Sequence, residues 1–566
     1  MFDYEIAVEI GGYKALQNLK YRCLQRGIRL ASDMVPNHTG IDSKWVRENP
    51  DWFVSLPNSP FPSYTFNGTN LSTDPRYGIF IEDNYYSRTD AAVVFKKQDY
   101  WTGDVKYIYH GNDGTNMPWN DTAQLNFLNP EVREAVIQNI LRVAHSFSII
   151  RFDAAMTLTK KHYQRLWFPA PGSGGDIPTR SEHGLSKGDF NKAMTNEFWR
   201  EVVDRIAEEA PDTLLLAEAF WLMEGYFVRT LGMHRVYNSA FMNMLKNEEN
   251  EKYRNTIKNT IQFNPEILKR FVNFMNNPDE ETALAQFGKS DKYFGVCTMV
   301  VTMPGLPMFG HGQVEGFVEK YGMEYRRAYL DEQVDWELVD RHEREIFPLM
   351  KKRYLFANVD DFLFYDFSTE ENVNENVFAY SNRFGNEYAL VVYNNKFAEA
   401  KGWIHTSVQY ASKTGTNGDT HLKQKNLGSA LNLHSGENNY CIFQDEVTGL
   451  EFIRKSNEIL EQGLYFELGA YKYFVALNFR EVLDNDLHQY EQLAASLNGR
   501  GVASISEALQ ELFLQPLSEA FDSLLSVEKV KEFKKHSLRK KPPAGFLKNF
   551  EKSSVLFLKQ ARHFSS

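Results

Sequence analysis

The sequence predicts an α/β fold of parallel βα units, followed by an antiparallel β-sandwich. Apolar helical segments alternate with short apolar strands over about residues 1–354, and charged residues stand where the strands end. From 355 to 480 the pattern changes to short alternating strands bounded by Gly and Asn. The first pattern is typical of either a closed barrel or a doubly wound sheet.

The first predicted unit is a helix that stops at Gly27, "GGYKALQNLKYRCLQRG", and a strand, "IRLASDMV". The same order occurs twice more. Helix "EVREAVIQNILRVAHS" precedes strand "FSIIRFDA", and helix "NEFWREVVDRIAEEAPD" precedes strand "TLLLAEAF". The segments "PEILKRFVNFMNNPDE" and "YFGVCTMVVTMPGLPMFG" are predicted to be two further strand regions.

Residues 41–129 interrupt the alternation of helices and strands, because they are rich in Asn, Asp, Gly, Pro, Tyr and Trp and show little periodicity. We therefore predict six segments. They are the start of a barrel (1–40), an inserted irregular domain (41–129), the continued barrel (130–354), the β-sandwich (355–480), a helical extension (481–527) and a basic tail (528–566).

Composition excludes several classes of protein. The net charge of −11 argues against a nucleic-acid partner. Three widely spaced cysteines give neither a disulfide framework nor a metal-ligand spacing, and they suit a reducing compartment. With no signal-peptide pattern and no apolar run of about 18 residues, the sequence predicts a cytoplasmic protein without a membrane partner. It does not indicate an oligomeric state.

The stretch "FSIIRFDAAMTL" (147–158) carries two charges on an apolar strand. Residues two apart on a strand face the same side, so Arg151 and Asp153 are expected to point into one cleft. A neighbouring guanidinium lowers the pKa of a carboxyl group and keeps it ionised, which suits a nucleophile. A buried ion pair without chemistry is the structural alternative.

Other strand ends carry similar residues. Glu218 follows a buried-looking strand, where desolvation should raise its pKa as a general acid requires. Asp279 ends another strand region, and Asp33 and His38 follow an earlier strand. Active sites of α/β barrels lie at the C-terminal ends of their strands. One ionised and one protonated carboxyl group can together cleave a glycosidic bond.

In this order the motifs resemble those of the α-amylase-type family of retaining glycoside hydrolases and transglycosylases, which share a (β/α)8 barrel. "DMVPNH", "IIRFDAA", "LLLAEAF" and "NNPDE" resemble its four motifs, and "QLNFLNP" resembles the segment that closes its inserted domain. The resemblance covers about residues 1–350. It implies that the first two βα units are missing. Either the sequence is a fragment of a longer protein, or the gene start is misassigned, or the barrel is short and is completed by another chain.

The resemblance implies a role for each motif residue. Asp153 would be the nucleophile, Glu218 the acid/base, and Asp279 the group that stabilises an oxocarbenium-like transition state. The substrate would be an oligo- or polysaccharide of the α-glucan or maltooligosaccharide type. Residues implied to bind the substrate or brace the site are Arg151, His38, Asp33 and Asn277.

Asn37 would reach the inserted domain and, as in some relatives, calcium; the resemblance implies no required cofactor. Pro278 stands where the fourth motif normally has His, and Met156 and Thr157 replace a common Lys-His pair that contacts sugar on the leaving side. Acceptor-side binding should therefore differ from that of ordinary α-amylases. Aromatic candidates for sugar stacking in the insertion are Trp52, Tyr85, Tyr86, Trp101, Tyr107 and Trp119.

Two other function classes compete with this interpretation. One is a catalytically silent, amylase-like scaffold or glycan-binding module, although such relatives usually lose one of the three carboxylates that are present here. The other is a doubly wound nucleotide-binding enzyme, which would need a Gly-rich loop directly after a strand. The strand–helix junctions contain no such loop.

Overall fold

A computed structural model describes residues 3–115, 117–220, 223–320, 327–414, 419–537 and 543–565. The chain forms two compact units. The first comprises Met1–Ser239 with Arg270–Asn273, and the second comprises Ala240–Lys269 with Phe274–Ser566.

The first unit is built on five parallel strands that neighbour each other in chain order. They are β1 (Ala31–Met34), β2 (Ile149–Phe152), β3 (Leu214–Ala217), β4 (Arg235–Tyr237) and β5 (Phe271–Phe274). In the shared register Met34, Phe152 and Ala217 lie side by side. The residues that follow β1, β2 and β3 therefore lie at the same end of the sheet, where the parallel strands have their C-terminal ends.

Helices precede these strands, as the sequence predicts for βα units. Gly12–Leu24 precedes β1, Pro130–Ser146 precedes β2, and Phe198–Glu209 precedes β3. Helix Pro130–Ser146 begins with proline at its first position, and the Asn129 side chain accepts a hydrogen bond from the Glu131 N–H. Shorter α-helices in this unit are Lys44–Glu48, Asp83–Ser87, Lys160–Trp167, Lys187–Ala193 and Glu224–Tyr226.

The insertion contains a small antiparallel sheet that its irregular sequence did not reveal. Its strands, in spatial order, are Ser55–Leu56, Val105–Tyr109, Val94–Asp99 and Tyr77–Ile81. Ile79, Phe95 and Ile108 are completely buried in it. A further strand pair, His38–Gly40 with Thr122–Gln124, connects the loop after β1 to the end of the insertion.

One predicted strand of the second unit is wrong. Most of "YFGVCTMVVTMPGLPMFG" is not a strand but part of the helix Asp291–Thr302, and only Leu306–Met308 is a strand. Every residue from Tyr293 to Thr302 is buried, so the segment is apolar on all sides and lacks the periodicity of an amphipathic helix. A short apolar run with β-branched residues cannot be told from a buried strand by periodicity.

The second unit also holds antiparallel sheets, as predicted. In spatial order the six-stranded sheet comprises Leu363–Tyr365, Val377–Phe384, Glu387–Asn394, Tyr473–Leu483, Asn439–Asp445 and Glu451–Lys455. Strands Ala400–Ile404 and Leu464–Leu468 form a separate pair that shares a buried core with the larger sheet. Tyr410–Thr414 pairs with Asp419–Lys423.

Helices complete the second unit. They are Ser239–Lys246, Asn250–Phe263, Glu266–Arg270, Ala283–Phe287, Asp291–Thr302, Trp336–Glu345, Phe347–Lys351, Arg353–Phe356, Leu427–Ala430, Ser456–Glu461, Gln489–Leu497, Ile505–Leu525, Val527–Ser537 and Ala544–Ser565. Among the residues that the structure describes, no helix combines the length and apolarity needed to cross a membrane.

Candidate active site

The ends of β2 and β3 bring Arg151, Asp153 and Glu218 together. The Arg151 guanidinium contacts the Asp153 carboxylate at 3.0 Å and the Glu218 carboxylate at 2.9 Å. Oxygens of the two carboxyl groups lie within 4.8 Å of each other. All three side chains are largely buried, and Glu218 is only 4% exposed. The predicted same-side arrangement of Arg151 and Asp153 is therefore present.

A backbone feature next to Asp153 holds Glu218 in place. Ala154 has a φ of +46°, a left-handed conformation that is unfavourable for a residue with a side chain. In this conformation its N–H donates a hydrogen bond to Glu218 Oε2 at 3.1 Å. The next N–H, that of Ala155, donates to the Glu218 carbonyl at 3.0 Å. Such strain is typical of functional sites, where it fixes the position of reacting groups.

The environment of Glu218 favours its protonated form. Burial raises the pKa of Glu218 well above its ordinary value, and the charge of Asp153 and a hydrogen bond with Asp153 act in the same direction. Arg151 and the Ala154 N–H oppose this shift but do not cancel it. Glu218 therefore has the property required of a general acid near neutral pH.

Arg151 has two further partners, one on β4 and one on β1. Its Nε donates a hydrogen bond to the Tyr237 hydroxyl at 2.9 Å, and its guanidinium lies 5.4 Å from the centre of the Tyr237 ring. Asp33 contacts it at 3.3 Å but remains 63% exposed. Sequence reasoning missed Tyr237, because β4 has three residues and gives no periodic signal.

His38 is held neutral beside an aromatic ring. Burial lowers the pKa of His38 to about 4, although the charge of Asp153 opposes the shift. Its ring lies 5.2 Å from that of Trp119, one of the aromatic candidates in the insertion. A neutral imidazole can donate one hydrogen bond and accept another, which suits recognition of hydroxyl groups.

Asn37 joins β1 to the insertion, as the resemblance implied. Its amide nitrogen donates to Gln124 Oε1 at 3.2 Å, and Gln124 Nε2 donates to Asn37 Oδ1 at 3.1 Å. The only other side chain that hydrogen bonds to Asn37 in the described part of the chain is His38. Calcium prefers several oxygen ligands that include carboxylates, so these contacts do not fit a calcium site at Asn37.

Asp279 and Asn277 belong to the second unit. Asn277 is buried, and its amide oxygen accepts hydrogen bonds from the N–H groups of Asp279 at 2.9 Å and Glu280 at 3.1 Å. The Asp279 side chain is exposed. Asn277 thus shapes the turn that presents Asp279, and this use of its oxygen competes with the predicted contact to substrate.

Met156 and Thr157, which replace the family's Lys-His pair, are buried. The Thr157 hydroxyl donates a hydrogen bond to the Ala154 carbonyl at 2.7 Å. These two residues therefore support the loop that follows Asp153, and neither presents a polar group to a leaving sugar. The difference in acceptor-side binding stays a prediction.

Comparison with known proteins identifies the family of the chain. The model of the α-amylase catalytic domain matches residues 2–414, and the chain therefore belongs to the α-amylase family. Maltase A1 of Drosophila melanogaster is 21% identical over 350 residues. That match covers 56% of this chain and 55% of the fly protein, so the chain spans about half the length of the curated relative.

Solved structures show the same fold. A debranching enzyme from Nostoc punctiforme superimposes with a TM-score of 0.50 at 15% identity, covering 84% of this chain and 81% of the other. An α-amylase from Geobacillus thermoleovorans gives a TM-score of 0.49 at 14% identity, covering 84% and 83%. Together with the family match, the first of these confirms the predicted α/β fold of the α-amylase type.

Proposed function

We propose that the protein is a retaining glycoside hydrolase or transglycosylase that acts on α-glucans or maltooligosaccharides through a covalent glycosyl-enzyme. The observation that carries this proposal is the sharing of Arg151 by Asp153 and Glu218, whose oxygens lie within 4.8 Å. Carboxyl groups about 5–5.5 Å apart are typical of retaining enzymes, whereas inverting enzymes need room for a water molecule.

In the first step Asp153, paired with Arg151, attacks the anomeric carbon while Glu218 gives its proton to the leaving oxygen. In the second step Glu218, now ionised, takes a proton from water or from an acceptor sugar hydroxyl, which attacks the glycosyl-enzyme. Neutral His38 would hydrogen bond to the sugar in the cleaved subsite. Asp279 would bind sugar hydroxyls and stabilise the transition state, a role that rests on the motif resemblance.

The substrate class rests on the names of similar proteins. The fly relative is named a maltase, and the structural neighbours are named a debranching enzyme and an α-amylase. The proposed steps use only carboxyl groups of this chain, so we expect no cofactor to be required. A saccharide is the only partner that the mechanism needs.

The test combines turnover with stereochemistry. Wild type, Asp153→Asn, Glu218→Gln and Asp279→Asn are incubated with maltooligosaccharides and with α-glucosyl fluoride, and the first-formed anomer is read by proton NMR. We expect α-configured product from wild type and a loss of at least about 10³-fold in Asp153→Asn. Glu218→Gln should retain more activity on the fluoride, because fluoride leaves with little need of protonation.

Equal product from wild type and Asp153→Asn would remove the assigned nucleophile. A β-configured first product would mean inversion and would exclude the glycosyl-enzyme. Binding of glucans without turnover by the wild-type chain would favour the silent, glycan-binding alternative.

A further inference from the structure

Two exposed aromatic side chains lie side by side on the second unit. In the strand pair Ala400–Ile404 and Leu464–Leu468, residues alternate strictly between buried and exposed. Trp403 and Tyr465 are directly opposite each other on the exposed face, with ring centres 5.2 Å apart. They are 39% and 42% exposed. The two rings therefore form an apolar surface on two rigid strands.

Polar groups border this surface. Two residues along the strands, Lys401 and Glu467 also face each other and form an ion pair at 3.4 Å. The Tyr465 hydroxyl donates a hydrogen bond to Glu467 at 3.1 Å. On the other side of Trp403, exposed Ser368 exchanges two backbone hydrogen bonds with it, at 2.9 and 2.8 Å. The border thus offers a hydroxyl, an ammonium and a carboxylate group.

Stability of the sheet does not require this arrangement. Apart from the buried Gly402, the inward-facing residues of both strands lie in the core shared with the larger sheet; they are Ala400, Ile404, Leu464, Phe466 and Leu468. Contiguous exposed apolar patches with a polar border are characteristic of binding sites. A cross-strand aromatic pair also stabilises a sheet modestly, and the experiment has to separate the two roles.

The chemistry of the surface suits a neutral polyhydroxylated ligand. Lys401 is paired with Glu467, and the further carboxylates Glu399 and Glu370 lie near Lys401 and Tyr465, so the surface disfavours anionic ligands. Sugar rings expose C–H groups on their faces and hydroxyls on their edges. The faces can contact the rings of Trp403 and Tyr465, while the edges reach the donors and acceptors of the border.

We propose that this surface, the Trp403–Tyr465 platform, binds a segment of an α-glucan chain and so tethers a polymeric substrate to the protein. That the ligand is a saccharide rests on the platform itself, whereas its α-linkage rests on the proposed function. The strand pair is held by its core, so the platform needs no rearrangement before it binds.

The full chain is run in native gels cast with amylopectin, with hydroxyethylcellulose or with no polysaccharide. Variants are Trp403→Ala, Tyr465→Ala and the conservative Trp403→Phe, and Trp336→Ala removes a tryptophan elsewhere in the second unit that is even more exposed, at 68%. We expect amylopectin to retard wild type, Trp403→Phe and Trp336→Ala. Trp403→Ala and Tyr465→Ala should bind at least about tenfold more weakly, with unchanged turnover of maltotriose.

Melting temperatures are measured alongside. If the Ala variants lose retardation while they melt within a few degrees of wild type, binding and not sheet stability explains the loss. Retardation unaffected by Trp403→Ala, or stronger with hydroxyethylcellulose than with amylopectin, would overturn the assignment. A chain that binds amylopectin through the platform but never cleaves maltotriose would refute the proposed function and leave this site standing.

Discussion

The protonation state of Glu218 decides whether the proposed acid can act. Burial comes first among the causes that raise its pKa, and the negative charge of Asp153 adds to it. An ordinary glutamate titrates near pH 4.3. We therefore expect the alkaline fall of kcat/KM to lie well above that value, because the enzyme loses activity as Glu218 gives up its proton.

The contribution of Asp153 to the raised pKa of Glu218 can be measured directly. In Asp153→Asn the negative charge beside Glu218 is gone, so the ionised form of Glu218 becomes less costly and its pKa should fall. Carbon NMR of the protein labelled at glutamate carboxyl carbons would follow Glu218 in both proteins, with Glu218→Gln to assign the signal. A wild-type Glu218 that titrates together with the exposed glutamates would contradict the prediction.

Tyr237 is expected to act as a positioning residue for Arg151. Its hydroxyl accepts the Arg151 Nε–H at 2.9 Å, and its side chain is almost completely buried. Tyr237→Phe removes this acceptor and leaves a buried donor unsatisfied. We expect a stability loss of about 1–2 kcal/mol and a fall in kcat of about tenfold, with KM nearly unchanged.

A matched variant distinguishes positioning from stability. Tyr365 is buried in the second unit, and its hydroxyl hydrogen bonds to Ser381 at 2.7 Å. Tyr365→Phe should cost similar stability but leave kcat unchanged. If both variants lower kcat equally, the effect of Tyr237→Phe is a general loss of folding and not a displacement of Arg151.

At the level of elements, the sequence predicts a helix or strand well where its hydrophobic residues follow a single period and its ends carry clear capping signals. The helix Pro130–Ser146 has an Asn cap, an initial Pro and an apolar stripe, and it was predicted almost to the residue. The helix Asp291–Thr302 has no polar face, so its sequence lacks the signal that separates a helix from a buried strand. Three-residue β4 is too short to show any period.

Within the helix Asp291–Thr302, core packing favours glycine at a position where helix propensity alone would favour alanine. Gly295 is buried there, and a Cβ added to it would lie 2.1 Å from the ring of Tyr393. Alanine is the better helix former by roughly 0.5–1 kcal/mol, but overpacking a filled core costs about 1–3 kcal/mol. We therefore expect Gly295→Ala to destabilise the protein, as measured by denaturant unfolding.

The opposite result is expected for an open helical glycine. Gly188 lies in the helix Lys187–Ala193, and a Cβ there would approach Ser186 no closer than 3.7 Å. Gly188→Ala should therefore stabilise the protein by about 0.5–1 kcal/mol. Stabilisation by both substitutions would show that the Tyr393 ring can move aside.

At the scale of the whole molecule, the parallel register gathers residues that are far apart in sequence. Asp33, Glu218 and Tyr237 span more than two hundred positions, yet all three contact the Arg151 guanidinium at the ends of the strands. The ends of β1, β2 and β3 were predictable, because apolar runs stop there at charged residues, whereas β4 was not predicted. The contacts themselves were not predictable, because the order and register of strands depend on tertiary packing.

A second buried arginine holds a helix of the second unit in place. Residues 240–269 lie in sequence between β4 and β5 of the first unit, yet they belong to the second. Arg254, on the helix Asn250–Phe263, is completely buried. It contacts Asp366 at 2.6 Å and Glu375 at 2.5 Å, and it donates a hydrogen bond to the Val377 carbonyl at 2.5 Å. These contacts anchor the helix to the β-sandwich.

Arg254→Met keeps the length of the side chain, but it removes one of the two cations that contact Asp366 and Glu375 and takes the donor from the Val377 carbonyl. Because the two carboxylates are 34% and 33% exposed and keep Lys258, we expect the loss of the buried guanidinium and its hydrogen bonds to cost about 1–3 kcal/mol. Lys258→Met is the matched control, because Lys258 contacts the same Asp366 at 2.8 Å from a partly exposed position and should cost less than about 1 kcal/mol. Calorimetry and hydrogen exchange would measure both. We expect Arg254→Met to speed exchange in the helix and in strand Val377–Phe384 together, and faster exchange in the helix alone would mean that Arg254 does not couple the two.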